Sequence, residues 1–186
     1  MSALTESTTA ERHRVLTDRF AALIDGVSDW DAQSPVKEWK AGDIVDHLSW
    51  LPGMLGGMGV RLEVPDATDR AAHFRGQSDA VHALLTGPDG DRPIDTQMMG
   101  VLPLSQVIDM FYNFDVFAHS WDLAKASGQD IELDADYAAG AYQGMSAQGP
   151  SLQATGHFGA PHPVADDASP QDKLLGLIGR DPDWTP

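Results

Sequence analysis

The chain has 186 residues, of which 42% are hydrophobic and 22% charged, a composition that predicts one folded domain with its own core. Its net charge of −16 argues against nucleic acid or an anionic membrane as a partner, since both require basic residues on the protein. Because the chain has no cysteine, it has no disulfide and no sulfur nucleophile, and any metal must be bound by histidine, aspartate or glutamate. The N-terminus lacks the apolar core of a signal peptide and no apolar run reaches membrane-spanning length, so we expect a cytoplasmic protein.

Helical patterns follow one another along the chain, whereas strand patterns are nearly absent. Thr8 and Glu11 form a capping box ahead of a first helix at about residues 9–26. A second helix runs from about Gly42 past Leu51, and Pro52 is expected to kink or end it. Further helices are predicted at about residues 65–85, 104–127, 135–146 and 170–178, with a short extended piece at 97–102. This order predicts an all-α fold, an antiparallel helical bundle.

The helix at residues 104–127 carries a stripe that becomes polar in its second half. The stripe consists of Leu104, Ile108, Phe111, Asp115, His119, Asp122 and Ala126. Asp115 and His119 are four residues apart, so they lie on one face, where burial is costly unless both are satisfied. A metal ion would satisfy them, although such a pair can also bond to each other or face solvent. Gly128 is expected to end the helix.

His47 lies at the edge of the apolar stripe of the second helix and is also expected to face inwards. Because bundles build metal sites from facing helices, His47, Asp115 and His119 predict a centre with two nitrogens, one oxygen and an open coordination position. Asp122 either orients the ring of His119 by accepting its other N–H, or is solvated. Asp43, four residues before His47, offers a dinuclear alternative, but a carboxylate in the first turn also suits the helix dipole.

The five other histidines have no partner motif and are interpreted as surface or hydrogen-bonded residues, with His73 kept as a reserve ligand. The sequence contains no serine nucleophile elbow, no phosphate-binding loop, no dinucleotide fingerprint and no HExxH motif. Exposed methionines and glycines around residues 54–58, together with Met98 and Met99, would suit an adaptable binding surface.

Three segments resemble a known family. They are WDAQSP with DIVDHL around His47, FDVFAHSWDLAKASGQD around His119, and FGAPHPVADDASPQDKLLGLIGRDPDW at residues 158–184. These segments are similar to the actinobacterial metal-binding proteins of the mycothiol-dependent maleylpyruvate isomerase type, within the DinB-like superfamily. The resemblance covers nearly the whole chain. It implies a DinB-like antiparallel four-helix bundle with short extra C-terminal helices.

The same resemblance implies a divalent metal, which is zinc in the isomerase, bound by two histidines and a carboxylate. These ligands fall on His47, Asp115 and His119, and nickel is the alternative ion. The isomerase has glutamate where this chain has Asp115, which is one methylene shorter. It also has a C-terminal domain that this chain is expected to lack, so maleylpyruvate itself is not carried over as the substrate. A homodimer is implied by the resemblance alone.

Three functional hypotheses follow. The first is a metal-dependent transferase or isomerase in which mycothiol is the cosubstrate and its thiol, ionised at the metal, attacks a small electrophilic substrate. The second uses the same ligands to activate water for hydrolysis. The third is a non-catalytic bundle that binds a metal or a small ligand. No general acid or base can be named from the sequence.

Overall fold

The computed structural model describes residues 2–97, 99–149, 151–154 and 156–186, and it is mostly helical, as predicted. The helices are α1 (Ala3–Glu6), α2 (Thr9–Asp25), α3 (Ala41–His47), α4 (Leu51–Gly57), α5 (Arg70–Thr86), α6 (Leu104–Ile108), α7 (Phe114–Ala126), α8 (Ala135–Ser146), α9 (Ser151–Ala154) and α10 (Pro170–Leu177). A 3₁₀ turn (Leu48–Trp50) joins α3 to α4, and a π-helical turn (Asp109–Asn113) joins α6 to α7. No helix of the described ranges has the length and apolar character needed to cross a bilayer.

Side-chain caps set the start of several helices. The predicted capping box of α2 is confirmed, since Thr8 Oγ accepts from the Glu11 N–H at 3.3 Å and Glu11 Oε2 accepts from the Thr8 N–H at 2.9 Å. The predicted start of the third helix at residue 65 is wrong. Asp69 caps α5 by accepting from the Ala72 N–H at 2.8 Å, so the helix begins at Arg70.

The region between α5 and α6 also differs from the prediction. In place of one extended piece at 97–102, β1 (Pro93–Asp95) pairs with β2 (Val101–Pro103) as a short antiparallel hairpin. Met98, assigned to a binding surface from the sequence, lies outside the described residues. The methionines after Pro52 are not freely exposed either, because Met54 and Met58 are half-buried and pack against the core.

The helix expected from about Gly42 past Leu51 is interrupted just before Pro52, which was expected to kink or end it. The chain tightens into the 3₁₀ turn before it, and α4 then starts afresh with the proline in its first turn, where the missing N–H has no partner to lose.

The long helix predicted at 104–127 is present but contains the π turn, which the sequence pattern did not indicate. A π turn adds a residue to the helical repeat, so the residues after it are rotated relative to those before it. Phe111, expected to face inwards, is therefore 38% exposed, whereas Tyr112 is fully buried. The helix ends as predicted, with Gly128 at a positive φ of 68°.

Helix α7 runs through the centre of the core, and residues 116–124 are all buried. Helices α2 and α3 both pack against α5 and α7. At the C-terminal end, α10 packs against α8. A helix that is apolar around most of its circumference is typical of such a central position, so each polar side chain on α7 needs a specific partner.

Candidate metal centre

Two helices supply the three predicted ligands. His47 is the last residue of α3, and Asp115 and His119 lie one turn apart on α7. Because α3 packs on α7, the imidazole of His47 reaches the carboxylate of Asp115 across the helix interface. The structure therefore brings together side chains that are distant in the sequence, since Asp115 and His119 follow His47 by 68 and 72 residues.

The geometry of the cluster is tight. Nε2 of His47 lies 3.1 Å from Oδ2 of Asp115, and Nε2 of His119 lies 3.4 Å from Oδ1 of the same carboxylate. One donor atom from each of the three residues falls within 4.8 Å of the others. The exposed fractions of the side chains are 34% for His47, 22% for Asp115 and 6% for His119, so the cluster opens towards solvent on the His47 side.

The back of the cluster is closed by a second carboxylate. Nδ1–H of His119 donates to Oδ2 of Asp122 at 2.8 Å, and Asp122 is fully buried. Of the two roles that the sequence left open for Asp122, the structure excludes the solvated one. Since Nδ1 is held by Asp122, the other nitrogen of His119 is directed at Asp115, the arrangement common around metal-ligating histidines.

Asp122 is itself bound by Arg180, which follows α10. The guanidinium spans both carboxylate oxygens, with Nε donating to Oδ1 at 3.2 Å and Nη2 to Oδ2 at 2.8 Å. Sequence analysis missed Arg180, because a pairing across 58 residues has no local pattern. A chain of charged contacts thus leads from Arg180 through Asp122, His119 and Asp115 to His47.

The electrostatics follow from this chain of contacts. Burial alone would raise the pKa of Asp115, but hydrogen bonds from His119 and His47 outweigh it and lower the pKa well below its usual range. Burial alone would lower the pKa of His119, but its bonds to Asp115 and Asp122 raise it to about 9. The pKa of Asp122 is lowered because the charge of Arg180 and the His119 bond overcome its burial. Without metal, the His119 ring therefore lies as a cation between the carboxylates of Asp115 and Asp122.

Two tryptophans frame the cluster. Nε1–H of Trp50 donates to Oδ2 of Asp115 at 2.8 Å, and this contact was not predicted, although Trp50 stands three residues after His47. Trp39 lies with its ring centroid 4.8 Å from that of His47 and 5.7 Å from that of His119. Glu38, immediately before Trp39, adopts a left-handed φ of 68°, a conformation that is costly for a residue with a side chain.

The other candidate ligands lie elsewhere. Asp43 is exposed, and its carboxylate accepts from the Lys40 N–H at 2.8 Å, where it caps the start of α3. His73 is half-buried on α5 and is not among the residues that group with potential metal donors in the described part of the chain. Of the two interpretations given for His13, surface or hydrogen-bonded, the structure shows the second: the ring is buried with Nδ1 2.9 Å from Asn113 Oδ1 and Nε2 3.1 Å from the carbonyl of Ser78.

Comparison with known proteins gives relatives but no family. The chain is 29% identical over 175 residues to the uncharacterized proteins MT0763 and Rv0738 of two strains of Mycobacterium tuberculosis, CDC 1551 / Oshkosh and ATCC 25618 / H37Rv. The matched region covers 90% of this chain and 95% of each relative. No family model matches the chain, and no solved structure matches it. The similarity therefore extends along almost the full length of both chains.

Proposed function

We propose that the protein is a metal-dependent enzyme of the DinB-like four-helix-bundle type, in which His47, Asp115 and His119 bind a divalent ion, zinc or nickel. The bundle would consist of α2, α3 with α4, α5, and α6 with α7. The open coordination position would receive a low-molecular-weight thiol, mycothiol, for transfer to or isomerisation of a small electrophilic substrate. The observation that carries the proposal is the convergence of three donors, with the buried carboxylate of Asp122 behind His119.

The donor set fits a divalent ion. Two ligands bound at about 2.0–2.1 Å around a tetrahedral ion lie roughly 3.3 Å apart. The separations between Asp115 and the two imidazoles, 3.1 and 3.4 Å, are close to that value. These two separations end on different oxygens of Asp115, and all three donor atoms lie within 4.8 Å of one another, so the side chains would bind one ion after a local adjustment.

The surroundings also suit an external ligand. Three protein ligands leave one position of a tetrahedral ion open, which is typical of catalytic sites. When bound, a divalent ion supplies one chemical effect, namely a lower pKa for a coordinated thiol or water. The chain has no cysteine, so the sulfur of a thiol reaction must come from a small molecule. The side chains of Trp39 and Trp50 lie against the polar cluster, and His47 is its most exposed side chain.

Metal content tests the first half of the proposal. Untagged wild-type protein is analysed for metal per chain, beside His119→Ala and the matched control His73→Ala, which removes a histidine outside the cluster. We expect about one ion per chain in the wild type and the control, and loss of the ion in His119→Ala. Wild-type protein that takes up neither zinc nor nickel after incubation would refute the proposal.

A thiol titration tests the second half. Cobalt-loaded protein is titrated with mycothiol, and a new sulfur-to-cobalt charge-transfer band is expected if the thiol occupies the open position. Activity with electrophilic substrates is then compared with and without mycothiol. Turnover without the thiol would favour the hydrolase with activated water, and metal binding with no turnover of either kind would leave a non-catalytic binding protein.

A further inference from the structure

The end of α10 places Arg180 by a specific backbone motif. The Arg180 N–H donates to the carbonyl of Leu175 at 2.9 Å, and the Gly179 N–H donates to that of Gly176 at 3.1 Å. This pair of bonds is a Schellman motif, which needs a left-handed residue after the helix. Gly179 has a φ of 85°, and a Cβ at this position would lie 2.7 Å from the Cα of Gly159. Only glycine fits there, so the turn that directs Arg180 inwards is tightly specified.

The guanidinium of Arg180 has no free face for a substrate. Nε and Nη2 both donate to Asp122, Nη1 donates to the carbonyl of Ile178 at 2.9 Å, and the side chain is only 10% exposed. All three nitrogens are therefore engaged within the protein. A catalytic or substrate-binding role would require at least one of them to reach the open side of the cluster.

We infer that Arg180 is a positioning residue for the metal centre: its two-pronged contact fixes the Asp122 carboxylate, which in turn holds the His119 ring with Nε2 towards Asp115. This inference rests on the proposed function, since its main readout is metal binding. A carboxylate that is bonded to one partner can rotate about its terminal torsion. A planar guanidinium that donates to both oxygens prevents that rotation. Lysine would supply the charge but could not span both oxygens.

The chain contains a matched control for this contact. Arg70 binds Asp46 with the same fork, with Nε 2.7 Å from Oδ1 and Nη2 2.8 Å from Oδ2, but the pair is exposed on the surface. Asp46 directly precedes His47 in the chain, but its carboxylate makes no hydrogen bond or ion pair with the cluster among the described residues. Breaking this fork removes the same chemical contact without touching His119.

The experiment compares the zinc affinity of the full chain in four forms: wild type, Arg180→Met, Arg180→Lys and Arg70→Met. Affinities are measured by competition with a chelator, and cobalt spectra report the ligand geometry. We expect Arg180→Met to bind zinc tenfold to a hundredfold more weakly with an altered cobalt spectrum, because loss of such an outer partner typically has this effect. Arg180→Lys should fall between it and the wild type, and Arg70→Met should stay within twofold. Wild-type affinity and an unchanged spectrum in Arg180→Met would overturn the inference.

A second readout uses the metal-free protein and separates the two proposals. In nitrogen-labelled wild-type protein, the Nδ1 proton of His119 should be observable and protected, since it is bonded to the buried Asp122. It should exchange rapidly in Arg180→Met and, to a lesser degree, in Arg180→Lys. If the wild type binds no metal, the proposed function is wrong, and the positioning of His119 is decided by this signal alone. An equally protected proton in all variants refutes the positioning role.

Discussion

Removal of Asp122 should cost far more stability than removal of its partner Arg180. Asp122 is fully buried and accepts two hydrogen bonds from Arg180 and one from His119. In Asp122→Ala the guanidinium stays almost buried, and it cannot lose its proton because the pKa of arginine is above 12. Loss of one partner of a buried ion pair costs about 3–5 kcal/mol. For a domain of this size, that corresponds to a fall of roughly 6–20 °C in Tm.

Arg180→Met should cost less, about 1–3 kcal/mol. Asp122 then keeps the hydrogen bond from His119, and a carboxyl group can become protonated when its counter-ion is lost. The methionine also fills most of the volume of the arginine stem. In the double variant no charge remains unpaired, so the combined loss should be smaller than the sum of the single losses by at least about 1 kcal/mol.

The assay is urea unfolding of the wild type, Asp122→Ala, Arg180→Met and the double variant. A chelator is present throughout, so that metal binding does not contribute to stability. The exposed pair supplies the control: Arg70→Met and Asp46→Ala should each change the free energy of unfolding by about 1 kcal/mol or less. Equal losses in Asp122→Ala and Arg180→Met, or losses that simply add in the double variant, would refute the account of Asp122 and Arg180 as a buried pair.

Three further predictions concern single residues. Trp50→Phe should lower the free energy of unfolding, measured in urea, by about 1 kcal/mol, because Asp115 loses an N–H donor while an aromatic ring remains at the position. Unchanged stability would contradict this. Glu38→Gly should raise Tm and increase the free energy of unfolding by about 0.5 kcal/mol, because glycine adopts the left-handed φ without strain. A lower Tm would show that the Glu38 side chain stabilises the protein by more than its backbone conformation costs. Burial lowers the pKa of His13 below its ordinary 6.5, so the unfolded chain takes up a proton there before the native protein does. This contribution to stability is complete above about pH 6.5 and is lost as the pH falls towards the native pKa of His13. Between pH 7.5 and 5.5, His13→Gln should therefore lose less stability than the wild type. Equal losses would contradict a lowered pKa for His13.

Local patterns gave the helices and the members of the cluster. The capping box at Thr8 and the glycine after α7 are read within a few residues, and both are present in the structure. His47, Asp115 and His119 were chosen from helical periodicity, which indicates which side of a helix faces the core. The structure places the three side chains together, and whether they bind a metal remains a prediction.

Features that depend on distant parts of the chain were not predicted. The π turn has no residue pattern of its own, and it moved Phe111 to the surface and Tyr112 into the core. The contact of Trp50 with Asp115 requires the 3₁₀ turn after α3, which rotates the indole towards α7. The Arg180 contact joins the turn after α10 to Asp122 on α7. Periodicity within one helix contains no information on these arrangements, because each depends on the packing of two separate segments.

Arg180 also sets the formal charge of the cluster. With neutral imidazoles, Asp115 and Asp122 contribute two negative charges and Arg180 one positive charge, so the side chains sum to minus one. A divalent ion would bring the sum to plus one, which favours an anionic occupant of the open position over a neutral one. Without the arginine the sum would be zero, so the local charge would favour an anion less strongly. The chain as a whole carries −16 and repels anions, so the positive charge of the buried arginine behind the cluster would offset part of that repulsion at the proposed site.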